Sequence, residues 1–192
     1  MPVHLDGYDY ALFLKMNESH YSPFLNQFMI WMTLYGRDVF WIVTIILMFI
    51  LGGITGRKVA VIMAICMVIL IPLGIVAKEI VQRPRPVIPK EDVILPADAE
   101  YAFPSGHALI VSANAAVVLA LFRTTRKQRI ISLLLAFEAA IVCISRVYVG
   151  AHYPLDVIGG ILLGVGISFI FIGLGKKIDA TVMVPIRKFV DG

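Results

Sequence analysis

Hydrophobic positions run along this chain in long blocks. Five stand out, at residues 39–54, 59–77, 107–122, 130–144 and 157–175. Crossing a bilayer takes roughly 17–25 apolar residues at about 1.5 Å each. The second and fifth blocks reach that length outright. The other three reach it with a few interfacial residues at each end. The pattern predicts an all-α, polytopic transmembrane helix bundle. A sixth run, Pro23–Tyr35, mixes Phe24, Phe28, Trp31 and Met32 with polar positions and stops at Gly36-Arg37-Asp38. It is too short to cross upright and reads as an amphipathic helix in the membrane interface. A short tilted span is the alternative, so the expected count is five spans, or six if residues 23–35 cross. The chain divides into an interfacial segment (1–38), a transmembrane core (39–175) and a basic tail (176–192), all within one domain. Residues 1–21 are polar and mixed in charge, unlike a cleavable signal peptide.

Composition sharpens this picture. The 192 residues are 59% hydrophobic and 16% charged, with a mean hydropathy of +0.88. Soluble domains average about 45–50% apolar and about 25% charged. So much apolar surface exceeds what one soluble core of this size hides, and disorder or a disulfide scaffold is excluded. Cys66 and Cys143 sit inside apolar blocks and read as buried thiols. Seventeen basic residues against thirteen acidic ones could suggest nucleic acid, but their placement is topological. Arg57 and Lys58, then Arg123, Arg126, Lys127 and Arg129, then Lys176, Lys177, Arg187 and Lys188, all fall on one side of five alternating spans. That side is cytoplasmic by the positive-inside tendency. The expected partners are the bilayer and a substrate carried in it, with no nucleic acid.

The remaining charges collect on the outer side. Lys78 ends the second block, and Arg83 and Arg85 follow in Gln82-Arg83-Pro84-Arg85-Pro86. Ser105, Gly106 and His107 open the third block, Ser145 and Arg146 close the fourth, and His152 and Asp156 flank the start of the fifth. Charge beside a span is costly and points to function. Lys78, Arg85 and Arg146 bring cations from three segments without matching carboxylates, which suits an oxyanion such as phosphate. Pro104-Ser105-Gly106-His107 reads as a helix start with Ser105 at the N-cap, whose free amides add an anion cradle. Of the two histidines, one can attack phosphorus and the other can protonate the leaving oxygen. Asp156, four residues after His152, can orient its ring as the third member of a triad does.

These segments resemble the three signature motifs of the type 2 phosphatidic acid phosphatase family. The matching stretches are Lys78-x6-Arg85-Pro86, Pro104-Ser105-Gly106-His107, and Ser145-Arg146-x5-His152-x3-Asp156. The resemblance implies that Lys78, Arg85, Ser105, Gly106 and Arg146 bind the phosphoryl oxygens. His107 would be the general acid, His152 the nucleophile that becomes phosphohistidine, and Asp156 its orienting carboxylate. It also implies chemistry without a metal or other cofactor, in keeping with a residue set that lacks an acidic cluster; Asp92, Asp98 and Glu100 have no recognisable metal spacing. The implied activity is lipid phosphatase at the extracytoplasmic face of the plasma membrane, on an undecaprenyl-type diphosphate or, with broader specificity, phosphatidylglycerophosphate or phosphatidic acid. Some dedicated diphosphatases of this family carry Asp where this chain has Gly106.

A non-catalytic anion-binding or transport protein is the reading from another class. Intact motifs and the lack of internal repeats weigh against it. Arg83 is read as an auxiliary surface charge. Gly160 and Gly164 in the last block are read as a close-packing pair. Glu138 in the fourth block shares a helical face with Ser145 and is expected to bond a neighbour such as Ser112 or Asn114.

Overall fold

The protein is described by a computed structural model that covers residues 5–17, 22–87 and 101–185. Asp92, Asp98, Glu100, Arg187 and Lys188 lie outside the described residues. The chain forms α1 (Leu5–Asn17), α2 (Pro23–Tyr35), α3 (Asp38–Leu51), α4 (Gly53–Val81), α5 (Gly106–Leu121), α6 (Arg126–Tyr148), α7 (Pro154–Gly173) and α8 (Gly175–Ile178), the last running into a π-helical turn at Asp179–Met183. Helices α4, α6 and α7 are each long and apolar enough to cross a membrane. Their outward faces carry large apolar side chains, such as Val68 on α4, Phe137 on α6 and Leu162 on α7, each about two-thirds exposed or more. Lipid is the solvent that suits such a surface, so this is an integral membrane protein.

The helix bounds differ from the hydrophobic blocks at two places. Residues 39–54 do not form one helix: α3 ends at Leu51, and Gly53, at φ 62°, opens α4, which absorbs Ile54, Arg57 and Lys58. Glycine tolerates that left-handed conformation without steric penalty. Fourteen residues of α3 reach only about 21 Å. It meets the length for crossing only together with α2, from which it is bent by 60°. Helix α2 has the predicted bounds and begins with Pro23 at its first turn, where Ser22 accepts from the Leu25 amide. Helix α5, with 16 residues, is a shorter apolar helix. The described part of the basic tail, residues 176–185, is helical and packed, with Ile178 in the core, Met183 fully buried and Lys58 paired with Asp179.

Helix α5 is the centre of the bundle, packed against α4, α6 and, most extensively, α7. The glycines of α7 make that last contact possible. A Cβ at Gly160 would lie 2.6 Å from the Ser105 carbonyl oxygen, and one at Gly164 would lie 2.2 Å from the Leu109 carbonyl oxygen. Both are backbone atoms, which cannot swing aside. The pair predicted from sequence therefore sets the distance between α5 and α7, two of the helices that carry signature residues.

Gly164→Ala should accordingly destabilise the protein by about 1–3 kcal/mol through overpacking. Gly166→Ala, on the same helix with nothing within 4 Å of the new methyl group, should be neutral or slightly stabilising. Thermal unfolding of the two purified variants in the same detergent checks this; equal melting temperatures would contradict the packing account.

Candidate active site

Four chain segments meet at one end of the bundle. The first leaves α4 through Gln82, whose amide closes the helix on the Lys78 carbonyl. Residues 83–87 then run back beside the start of α5. The Ala102 amide donates to the Arg83 carbonyl at 2.7 Å, and Pro84 and Tyr101 form an isolated bridge. The second segment is the start of α5 itself. The third follows α6, where Gly150 at φ 78° reverses the chain. The amides of Ala151 and His152 then both donate back to the Arg146 carbonyl, at 3.1 and 3.2 Å. The fourth is the first turn of α7. Its Asp156 carbonyl accepts the Ser105 amide at 2.9 Å, which joins the α5 and α7 helix starts directly.

The predicted residues fall into this junction. Lys78 Nζ donates to the Tyr101 carbonyl at 2.7 Å, and Arg85 Nη1 to the Ala151 carbonyl at 2.6 Å. Arg146 is 5% exposed. Lys78 lies within electrostatic reach of Arg85, Arg146 and Asp156, and His152 within reach of Arg146 and Arg85. His107 lies within reach of both His152 and Arg146. Three cations and two histidines are thus gathered in one place. Ser105 does sit at the N-cap of α5, but its side chain makes no capping bond. Its buried hydroxyl has no protein partner among the described residues, which suits an oxygen-rich ligand better than a structural cap. His152 Nδ1 stands 3.7 Å from Asp156 Oδ2. That is too long for a hydrogen bond, and such contacts commonly tighten only in the substrate complex. Burial pushes the His152 imidazole down to about 4; the Asp156 carboxylate opposes this, and Arg146 and Arg85 add to it.

Sequence reasoning missed several residues and misjudged one. Arg83 is not a surface charge: its side chain is largely buried and bonds both Asp156 Oδ1 and Asp9 Oδ2, each at 2.6 Å. The doubled Arg-Pro was visible, but the choice between its arginines rested on spacing alone. Thr33 of α2 accepts from His107 Nε2 through its carbonyl at 3.0 Å, and its hydroxyl meets Ser145 Oγ at 2.7 Å. Arg37, paired with Asp38, is the nearest group to a Cβ placed on Gly106, with Nη1 3.9 Å away. A charge closing a short apolar run was its only signal. Glu138 does share its helix face with Ser145, but that face meets α2. Its Oε1 lies 3.0 Å from a Cβ built on Gly36, while Ser112 bonds the carbonyls of Leu109 and Ile161 instead.

Known proteins resemble this chain in sequence and in fold. Residues 56–178 match the model of the PAP2 superfamily. The chain is 38% identical over 184 residues to an undecaprenyl-diphosphatase of Sulfolobus acidocaldarius, covering 95% of this chain and 82% of that protein. Two solved structures, each 25% identical, share the fold. A PAP2-type phosphatidylglycerolphosphate phosphatase from Bacillus subtilis superposes with a TM-score of 0.71 over 92% of this chain and 89% of its own. Aquifex aeolicus LpxE does so at 0.68 over 85% of this chain and 94% of its own. The chain belongs to the PAP2 superfamily. It is a membrane phosphatase.

The depressed imidazole has a consequence for stability. An unfolded histidine titrates near 6.5, while folded His152 does so near 4. Between those values the unfolded chain binds the proton and the folded chain does not, so stability falls as pH drops through that window. His152→Gln should lose that part of the dependence. Thermal unfolding of both proteins in detergent from pH 7.5 to 4 measures it, and parallel curves would contradict the assignment.

Proposed function

We propose that the protein hydrolyses lipid-linked phosphate at the outer membrane surface, with a polyprenyl diphosphate of the undecaprenyl type as its leading substrate. The observation that carries this reading is the convergence of Lys78, Arg85, Arg146 and the buried Ser105 hydroxyl around His107 and His152. Buried donors fixed before substrate arrives stabilise developing charge without reorganising. An apolar cavity of about 900 Å³ between α5, α6 and α7 supports a lipid. It is lined by Ala115, Ala139, Cys143 and Ile161 and reaches Val147 and Pro154 beside the catalytic loop, so it suits an acyl or prenyl chain. The similarity to an undecaprenyl-diphosphatase supports the diphosphate, as does Arg37 beside Gly106, a cation suited to a second phosphate.

In this mechanism His152 Nε2 attacks phosphorus in line, and the bond from phosphorus to the leaving oxygen breaks. His107 gives that oxygen its proton. Nδ1–H of His152 donates to Asp156, which stabilises the imidazolium as in a serine-protease triad. Water then attacks the phosphohistidine, His107 takes its proton, and the P–N bond breaks to release phosphate. Lys78, Arg85, Arg146, Ser105 and the Gly106 amide hold the equatorial oxygens. None of these roles calls on a metal. The second reading is broad lipid phosphatase activity: Gly106, in place of Asp, leaves the α5 start open, and the structural relative from B. subtilis is a phosphatidylglycerolphosphate phosphatase.

His152→Ala should abolish phosphate release from every lipid the wild type accepts, and the wild type should keep its activity in excess EDTA. Acid-labile, base-stable phosphate labelling should disappear in the same variant. A panel of undecaprenyl diphosphate, farnesyl diphosphate, phosphatidylglycerophosphate and phosphatidic acid reads both points. Loss of activity to EDTA, or labelling that survives without His152, would overturn the mechanism.

The outer placement is checked separately. Single cysteines at residues 91–100 should react with an impermeant thiol reagent in intact cells, and single cysteines at residues 123–129 should not. The reverse pattern would put the site on the cytoplasmic face.

A further inference from the structure

Neither the phosphate-binding set nor the two-histidine chemistry uses Arg83 or Asp9, yet both are built into the junction. Two carboxylates withdrawn from solvent, Asp156 at 0% and Asp9 at 4% exposure, share one guanidinium. Nη1 of Arg83 bonds Asp156 Oδ1 and Nη2 bonds Asp9 Oδ2, both at 2.6 Å. The second oxygens are also committed. Asp156 Oδ2 accepts the Tyr153 amide at 2.9 Å, and Asp9 Oδ1 accepts the Leu155 amide at 3.0 Å. The guanidinium carbon lies 4.4 Å from the centre of the Tyr153 ring, so the plane of the fork is fixed as well. The first turn of α7 is therefore held by an acidic side chain from α1 and one of its own, bridged by a single arginine.

The bridge determines which Asp156 oxygen is available to His152. With Oδ1 occupied by Arg83, Oδ2 is left on the His152 side, 3.7 Å from Nδ1. Helix α1 is anchored independently of Arg83: Asn17 Nδ2 donates to the Val147 carbonyl at 3.0 Å, and buried Phe13 packs edge-on against Tyr153. Asp9 is thus presented from a docked helix.

We propose that Arg83 is a positioning residue that acts through Asp156, and that Asp9 makes helix α1 part of the catalytic apparatus. Arg83 turns the Asp156 carboxylate so that Oδ2 faces His152, and Asp9 holds Arg83 in place. A buried charge that loses its partner rearranges to find another, and a misplaced orienting carboxylate slows the chemical step more than it weakens binding. The inference rests on Asp156 orienting the nucleophile, and the experiment includes that residue for this reason.

The full-length protein in detergent micelles is assayed on phosphatidic acid and farnesyl diphosphate, using whichever the wild type turns over faster. The variants are Arg83→Gln, Arg83→Lys, Asp9→Asn, Asp156→Asn and the double variant Arg83→Gln/Asp156→Asn, with kcat, KM and melting temperature measured for each. Arg83→Gln should lower kcat between about tenfold and a hundredfold, with KM within about twofold. Arg83→Lys should recover part of that loss, and Asp9→Asn should lower kcat in the same direction by less. In the Asp156→Asn background the Arg83→Gln change should have little further effect, because the two act as one unit. Losses that multiply in full in the double variant would overturn the proposal, as would a rise in KM alone. A lower melting temperature with unchanged kcat in folded protein would make the bridge merely structural and overturn it too. If Asp156→Asn is itself silent, the orienting role of Asp156 fails and the proposal falls with it, a result distinct from any defect confined to Arg83. Should Arg83→Gln not fold, Asp9→Asn decides by the same split between kcat and KM.

Discussion

The α5 and α7 backbones approach one another closely because α7 offers Gly160 and Gly164 where they cross. Within a bilayer the lipid tails are as apolar as the helix surfaces, so close packing is what favours one helix pair over another. Here the contact does more than hold the bundle. It brings the Ser105 amide onto the Asp156 carbonyl, so that the start of the helix bearing Ser105 and His107 is bonded to the start of the helix bearing Asp156. A methyl group at either glycine meets backbone oxygen, and no rotamer change relieves that. The separation of the two helix starts is therefore set within the bundle, below the signature residues.

Above that contact the structure has to hold like charges together. Lys78, Arg85, Arg146 and Arg37 lie within electrostatic reach of one another or of the same histidines. Backbone carbonyls hold two of them, Tyr101 for Lys78 and Ala151 for Arg85. Such bonds fix where each cation's head group lies. Asp38 pairs with Arg37, and Asp9 and Asp156 converge on Arg83. That convergence leaves His152 beside a fully buried carboxylate.

The N-terminal helices give this site its outer support, although they carry none of the signature residues. Asp9 of α1 bonds Arg83 and the α7 start, and Thr33 of α2 holds His107 and Ser145. Such partners are main-chain carbonyls and single polar side chains, and any of many residue types in an amphipathic helix could serve. They leave no spacing to recognise. Lys78, Arg85, Ser105, His107, Arg146, His152 and Asp156 were recognisable because each motif lies at the end of an apolar block, where a charge needs a reason.

The amino-acid sequence by itself determined the membrane class, the all-helical fold, the bounds of α2 and the small-residue contact of α7. It also marked the motif residues that the fold gathers at one end of the bundle, because hydropathy blocks and motif spacing are local and survive in one dimension. Only the tertiary structure decided that the first hydrophobic block breaks at Gly53, that Arg83 is buried between two carboxylates, and that Glu138 faces α2. The reason is physical. A buried charge is defined by which groups the fold brings within about 3 Å of it, and for Arg83 those groups come from 74 and 73 positions away along the chain.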